Sequence, residues 1–211
     1  MSSAVLEKPV EEKTVVISPA KTSLQAYFDL EKTSEIRHEF VEGDLISMPG
    51  ESLAHNRIAL NLSSSLLQLF EDRPCEVYME GIRARVSLDR YRYPDVVALC
   101  GEPLVDTDNP PSLLNPMLIV EVLSPSTRAT DYGDKSLEYR HIPSLTDYLL
   151  VEQDRVFVTH CTRQSEHQWL FTEYFHPDDT LIFASLETSL TLASIYRKVS
   201  FSEVENESNT D

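Results

Sequence analysis

The chain has 211 residues, of which 41% are hydrophobic and only five are glycine, a size and composition that allow one domain with a buried core. No run approaches the roughly 18 uninterrupted apolar residues of a membrane span, and MSSAVLEKPVEEK lacks the apolar core of a signal peptide, so a cytoplasmic protein without membrane contact is expected. The net charge of -17 argues against tight, nonspecific binding to nucleic acid, which rests on a basic surface that displaces counterions from phosphates.

Residues 1–20 are polar, contain Pro9 and Pro19 and lack periodicity, so they are expected to form a flexible arm; 201–211, with three Glu, one Asp and no base, read as an acidic disordered tail. Between them, 21–200 form the expected domain. Leu24, Tyr27, Phe28 and Leu30 mark a helix within 23–34. HEFVEGDLISM then reads as a hairpin turning at Glu42, Gly43 and Asp44. From Leu53 to Phe70, Ile58, Ala59, Leu62, Leu66, Leu69 and Phe70 recur at three and four, predicting a long amphipathic helix that packs on a sheet.

Strand formers follow at 75–79 (CEVYM), 82–88 (IRARVSL) and 93–100 (YPDVVALC). Arg83, Arg85, Arg90 and Arg92 fall within ten residues whose only acid is Asp89, a basic stripe on an acidic protein or a solvated strand face. A loop over 101–116 leads to MLIVEVL at 117–123, apolar on both faces apart from Glu121, as befits a central strand. SPSTRATDYGDK supplies a turn and starts a helix through Lys135, Leu137 and Tyr139. DYLLVEQ, RVFVTHCT and HQWLFTEYF read as strands, and TLASIYRKV as a closing helix. The order implies an α/β fold with a mixed sheet flanked by helices. Cys75, Cys100 and Cys161 stand far apart, which suggests neither a disulfide framework nor a zinc site.

An ionised Glu121 in the middle of an apolar strand loses water at a cost of several kcal/mol, so it needs a partner: a hard divalent cation, an arginine, or an exposed strand position. Asp95 stands where the next apolar strand begins, with Pro94 fixing the approach of the chain, and neighbouring strands would let the two acids share a metal. Taken alone, it is also an ordinary strand-start aspartate. Lys135, on the helix that returns past the central strand, would reach a metal-bound water, or else pair with Asp131 on an exposed helix face. Glu39 is a weaker third acid on the first strand. His55, at the start of the long helix, reads as a surface or capping residue ahead of a general base, and Ser124, Ser126 and Thr127, with no G-x-S-x-G elbow, as turn and capping groups ahead of a serine nucleophile.

Together, YPDVV at 93–97, LIVEVLSPST at 118–127, DYGDKSLEYR at 131–140 and DYLLVEQD at 147–154 resemble the Uma-two restriction-endonuclease domain family of the PD-(D/E)xK superfamily, over about residues 22–198. The resemblance implies a restriction-endonuclease-like core with a central mixed sheet, phosphodiester hydrolysis with magnesium or manganese, a nucleic-acid substrate such as DNA, and a homodimer. By position, Asp95 and Glu121 would be metal ligands and catalytic residues, Lys135 the catalytic lysine, and Glu39 a glutamate completing the site. The superfamily's commonest pattern has lysine two residues after the second acid, where Leu123 stands here; many members of this family carry it on the following helix. On this reading Arg83 and Arg85 position the DNA backbone. The rival readings are a catalytically silent binding or assembly module on the same fold and a metal-dependent enzyme acting on another substrate.

Overall fold

The computed structural model describes residues 20–48, 50–108 and 110–201; most of the expected arm and nearly all of the acidic tail lie outside them. The first helix, α1 (Leu24–Glu31), starts at Ser23, whose hydroxyl accepts from Ala26 N at 3.2 Å. It covers a hairpin of β1 (His38–Val41) and β2 (Asp44–Ser47). The turn places Glu42 (φ 49°) and Gly43 (φ 92°) both in the left-handed region, the requirement of a two-residue hairpin loop. A Cβ at Gly43 would also stand 3.0 Å from the Lys21 side chain, so glycine serves twice there.

Helix α2 (Leu53–Leu69) is followed by β3 (Cys75–Met79), β4 (Arg83–Ser87), β5 (Arg90–Arg92), β6 (Val96–Cys100), β7 (Ser112–Leu113) and β8 (Leu118–Leu123). A helical crossover, α3 (Arg128–Thr130), a π-helical turn (Asp131–Lys135) and α4 (Ser136–Tyr139), leads to β9 (Asp147–Glu152). Then come β10 (Val158–Ser165), β11 (Gln168–Tyr174), β12 (Thr180–Phe183), β13 (Thr188–Thr191) and α5 (Leu192–Ile195).

The six-stranded sheet runs β11-β10-β9-β8-β6-β3 and is mixed, because β8 and β9 pair in parallel while the other neighbours are antiparallel. A parallel pair needs a long crossover, and the helical segment is that crossover. Every residue of β8 is buried, as a central strand covered on both faces requires. On one face Ile58, Ala59, Leu62 and Leu66 of α2 pack against Val96, Ala98, Val120 and Val122. On the other, Tyr139, Ile142 and Leu145 pack against Val97, Leu99, Ile119 and Leu123. A second sheet, β2-β1-β5-β4-β7, carries a separate aromatic cluster of Tyr27, Phe28, Phe40 and Tyr91.

Three local expectations are corrected. The closing helix is one turn, Leu192–Ile195, because the chain leaves it at Tyr196 for a turn in which Lys198 takes a positive φ of 59°; ahead of it, Thr188–Thr191 form β13, whose hairpin with β12 alternation alone did not reveal. Short β5 also went unread, since three residues carry too little periodicity. A disulfide joins Cys75 to Cys100, which are direct partners across β3 and β6; strand pairing closes a sequence separation of 25 that looked like isolation.

Candidate active site

The pairing of β6 with β8 brings the two acids together. Val96 stands opposite Val120 in antiparallel register, so Asp95, just before β6, comes alongside Glu121 and Val122. Its Oδ2 accepts a hydrogen bond from Val122 N at 2.6 Å, a short, charge-assisted contact that ties the carboxylate to the central strand. Alternation along β8 turns Leu118, Val120 and Val122 toward α2 and Ile119, Glu121 and Leu123 toward the crossover helix.

That helix supplies the lysine. Lys135 Nζ lies 3.1 Å from Glu121 Oε1, 3.1 Å from Asp131 Oδ1 and 3.4 Å from Glu39 Oε1, and Tyr139 Oη donates to the same Glu121 oxygen at 2.8 Å. Asp131 and Lys135 begin and end the π-helical turn, and both are buried. Such turns are rare, and they are frequently found at functional sites. Lys135 is therefore enclosed among acids, and the exposed-helix alternative does not hold.

Glu39 is held from two sides. Its Oε2 accepts from Arg92 Nη1 at 2.8 Å, and Arg92 also binds Glu138 through Nε at 2.8 Å and Nη2 at 3.0 Å. From the first turn of α2, His55 Nε2 lies 3.2 Å from Asp95 Oδ2 and 3.4 Å from Glu51 Oε2. The cleft is lined by Glu39, Glu51, His55, Asp95, Glu121 and Lys135, with Ile46 and Met48 from the β2 side and Thr127 and Thr130 from the crossover.

Burial and neighbouring charge set the protonation of this cluster. Burial pushes Glu121 well above the usual carboxylate range; Lys135 opposes the rise, and the charges of Asp131, Asp95 and Glu39 add to it. Burial alone would also raise Glu39, but Lys135 and Arg92 outweigh it and hold that carboxyl below its ordinary value. For Lys135, burial favours the neutral amine, yet Glu121, Glu39 and Asp131 overrule it and raise its pKa well above the ordinary lysine value, so it is a cation. His55 is raised too: burial works against charge, but the hydrogen bond to Asp95 and the charges of Asp95 and Glu51 prevail.

The donor set fits a hard divalent cation. Asp95 and Glu121 offer carboxylate oxygens side by side, and the charges of Asp131, Asp95 and Glu39, which add to the effect of burial on Glu121, are what a dication would neutralise. Among the described residues no group of three or more His, Cys, Asp or Glu side chains is arranged to hold a metal ion. A cation here would rest on the pair, as suits magnesium, which takes one or two carboxylates and keeps water.

The expected basic stripe is corrected. Arg83 is 1% exposed, because its guanidinium lies over Tyr27, Phe28 and Tyr91 at 4.7–5.3 Å while Nε binds Ser112 Oγ at 2.7 Å and Nη2 binds the Pro110 carbonyl. Strand alternation assigned it to solvent, but the rings of α1 lie over it and β7, paired alongside β4, supplies Ser112. Arg92 is buried among acids, and Arg90 pairs with Glu42, Asp89 and Glu138. Arg85 remains half-exposed, 3.6 Å from Asp106. His55 is likewise buried in the cleft and not a surface capping residue. The acid and histidine spacing Glu51 to His55, and Tyr139 four residues after Lys135, were the signals available for these partners. Ser124 and Thr127 do serve the turn, with Thr127 N donating to Ser124 Oγ at 3.2 Å.

Residues 24–194 match the model of the Uma2 family, described as "Putative restriction endonuclease". Two proteins of Synechocystis sp. are similar along most of their length: uncharacterized protein sll1609, 33% identical over 162 residues covering 76% of this chain and 92% of that one, and uncharacterized protein slr1290, 32% identical over 182 residues covering 86% and 94%. The fold matches a crystal structure described as "a putative nuclease belonging to DUF820" from Anabaena variabilis, with a TM-score of 0.67 and 18% identity over 84% of this chain and 98% of that one. A mixed sheet flanked by helices in the restriction-endonuclease-like arrangement, together with the match over 24–194, makes this chain a member of the Uma2 family.

Proposed function

We propose that the protein is a magnesium-dependent endonuclease that hydrolyses phosphodiester bonds of nucleic acid, DNA in the first instance. The observation that carries the reading is the convergence of Asp95, Glu121 and Lys135 in one cleft, with Lys135 Nζ 3.1 Å from Glu121 Oε1. Asp95 and Glu121 would hold magnesium, or manganese in its place. When bound, the cation supplies Lewis acidity and a water of lowered pKa. Lys135, kept protonated by three acids, is unsuited to accept a proton; its role is electrostatic, offsetting negative charge that develops on the attacked phosphate. Glu39, anchored by Arg92, keeps Lys135 from swinging away. Half-exposed Arg85 is the remaining candidate for positioning the nucleic-acid backbone.

The same reading includes a homodimer and a cytoplasmic setting. The Cys75–Cys100 disulfide bears against the latter, since disulfides are rare in reducing compartments. No helix among the described residues is long and apolar enough to cross a membrane. The second reading, a silent module, draws on the mutual satisfaction of Glu121, Lys135 and Tyr139, which a purely structural network would also show.

Cleavage of supercoiled plasmid and of single-stranded DNA with magnesium or manganese separates the two. The nuclease reading expects cleavage by the wild type that chelator stops and that Asp95→Ala and Glu121→Ala both lose. Folded wild-type protein that cuts neither substrate with either cation would favour the silent module.

A further inference from the structure

Asp95 has two oxygens in different circumstances. Oδ2 receives Val122 N at 2.6 Å and lies 3.2 Å from His55 Nε2, whereas Oδ1 has no protein hydrogen bond among the described residues. The carboxylate lines the cleft. Two donors therefore occupy one oxygen and leave the other for the cleft.

His55 is itself placed firmly. It stands in the first turn of α2, where its backbone N donates to the capping hydroxyl of Ser52 at 3.0 Å, and Ser52 also bonds Gln153 at the end of β9. The following residues Ile58, Ala59 and Leu62 are fixed in the core on the sheet that carries Asp95. The ring is 2% exposed, yet Nδ1 is buried with no hydrogen-bond partner. Here all the polar contacts of the ring run through Nε2, to Asp95 and to Glu51 at 3.4 Å. The uncompensated Nδ1 costs stability, so what the ring achieves is at the other nitrogen.

We infer that His55 is a positioning residue: by donating Nε2–H to Oδ2 it fixes the Asp95 carboxylate so that Oδ1 is presented to the cleft for a divalent cation. It does not touch the reacting atoms. Outer partners that orient a ligating carboxylate in this way typically change cation affinity by about 10- to 100-fold when removed. The inference rests on the metal-dependent reading above, and its test has one arm that does not.

That arm is the amide proton of Val122 in the cation-free protein, observed by nuclear magnetic resonance. Its short bond to a carboxylate shifts it downfield. His55→Leu should move it upfield as Asp95 loosens, and His55→Gln, whose amide nitrogen can occupy the place of Nε2, should restore it. The second arm is calorimetric titration with magnesium chloride and with manganese chloride. His55→Leu should bind about 10- to 100-fold more weakly than wild type, and His55→Gln within about threefold. Circular dichroism establishes which variants fold, and His55→Gln carries the test if His55→Leu does not. A Val122 amide unmoved in folded His55→Leu, or a folded His55→Gln with neither the amide nor the affinity of the wild type, would overturn the inference. Wild-type protein that binds neither cation would remove the metal reading itself, and the amide arm would still decide whether His55 holds Asp95.

Discussion

Lys135 Nζ stands 3.1 Å from Glu121 Oε1, across a separation of 14 residues, because the π-helical turn delivers the lysine to the face of β8 on which the glutamate points. Removing the ammonium would leave Glu121 and Asp131 without their cation and Glu39 with Arg92 alone. Lys135→Met is expected to destabilise the protein by about 3–5 kcal/mol, the usual consequence of breaking a buried ion pair on one side. Any cleavage activity should fall by at least about 100-fold, as when an electrostatic stabiliser is removed. Urea unfolding gives the first value and plasmid cleavage by the folded fraction the second; a stable Lys135→Met variant with wild-type cleavage would remove Lys135 from the site.

Arg83 should behave as a core residue. Its replacement by Met removes contacts with three aromatic rings and with Ser112 and Pro110, and should cost about 2–4 kcal/mol in urea unfolding. Once folded, the variant should bind DNA with the wild-type salt dependence. Arg85→Glu should do the opposite, leaving stability nearly unchanged and lowering the slope of affinity against salt by about one or more. If charge reversal at both positions leaves affinity and salt slope untouched, neither arginine meets the nucleic-acid backbone.

The difference between these two arginines shows what the sequence could and could not reveal. The periodicities of α2 and β8 made both elements legible, because their apolar faces are long and meet the sheet directly. Asp95 and Glu121 were readable as charges set into apolar strands, and their pairing followed once β6 and β8 proved adjacent. Arg83 was misread because a strand pattern tells which residues share a face and not what covers it. His55, Tyr139 and Arg92 escaped for a related reason: each joins the site through a contact between elements distant in the chain, such as Arg92 with Glu39. The disulfide was hidden likewise, since only strand register makes Cys75 and Cys100 opposite.

The disulfide should contribute measurably. Closing a loop of 25 residues restricts the unfolded chain by about 3–4 kcal/mol in the chain-entropy account. Reduction, or the paired change Cys75→Ser with Cys100→Ser, should lower unfolding free energy by that amount. A reduced protein as stable as the oxidised one would mean the bond adds nothing.

Cys161 is buried, and burial pushes its thiol from 9.0 up to about 12, with Arg140 opposing only weakly. The folded state holds this proton more tightly than the unfolded one. Its contribution to stability is therefore complete below pH 9.0 and lost as pH rises toward about 12. Titration with a thiol reagent near pH 8 should detect no reactive thiol in native oxidised protein and one after unfolding. Rapid reaction of native Cys161 would contradict its place between the sheet and the crossover helix.

The most direct test of the metal-dependent site is calorimetric titration of magnesium and manganese into wild-type protein and Glu121→Gln, which keeps shape and removes charge, with plasmid cleavage followed on the same samples. The wild type should bind a cation, and Glu121→Gln should lose both binding and cleavage. Equal cation binding and equal cleavage by the folded Glu121→Gln variant would contradict it.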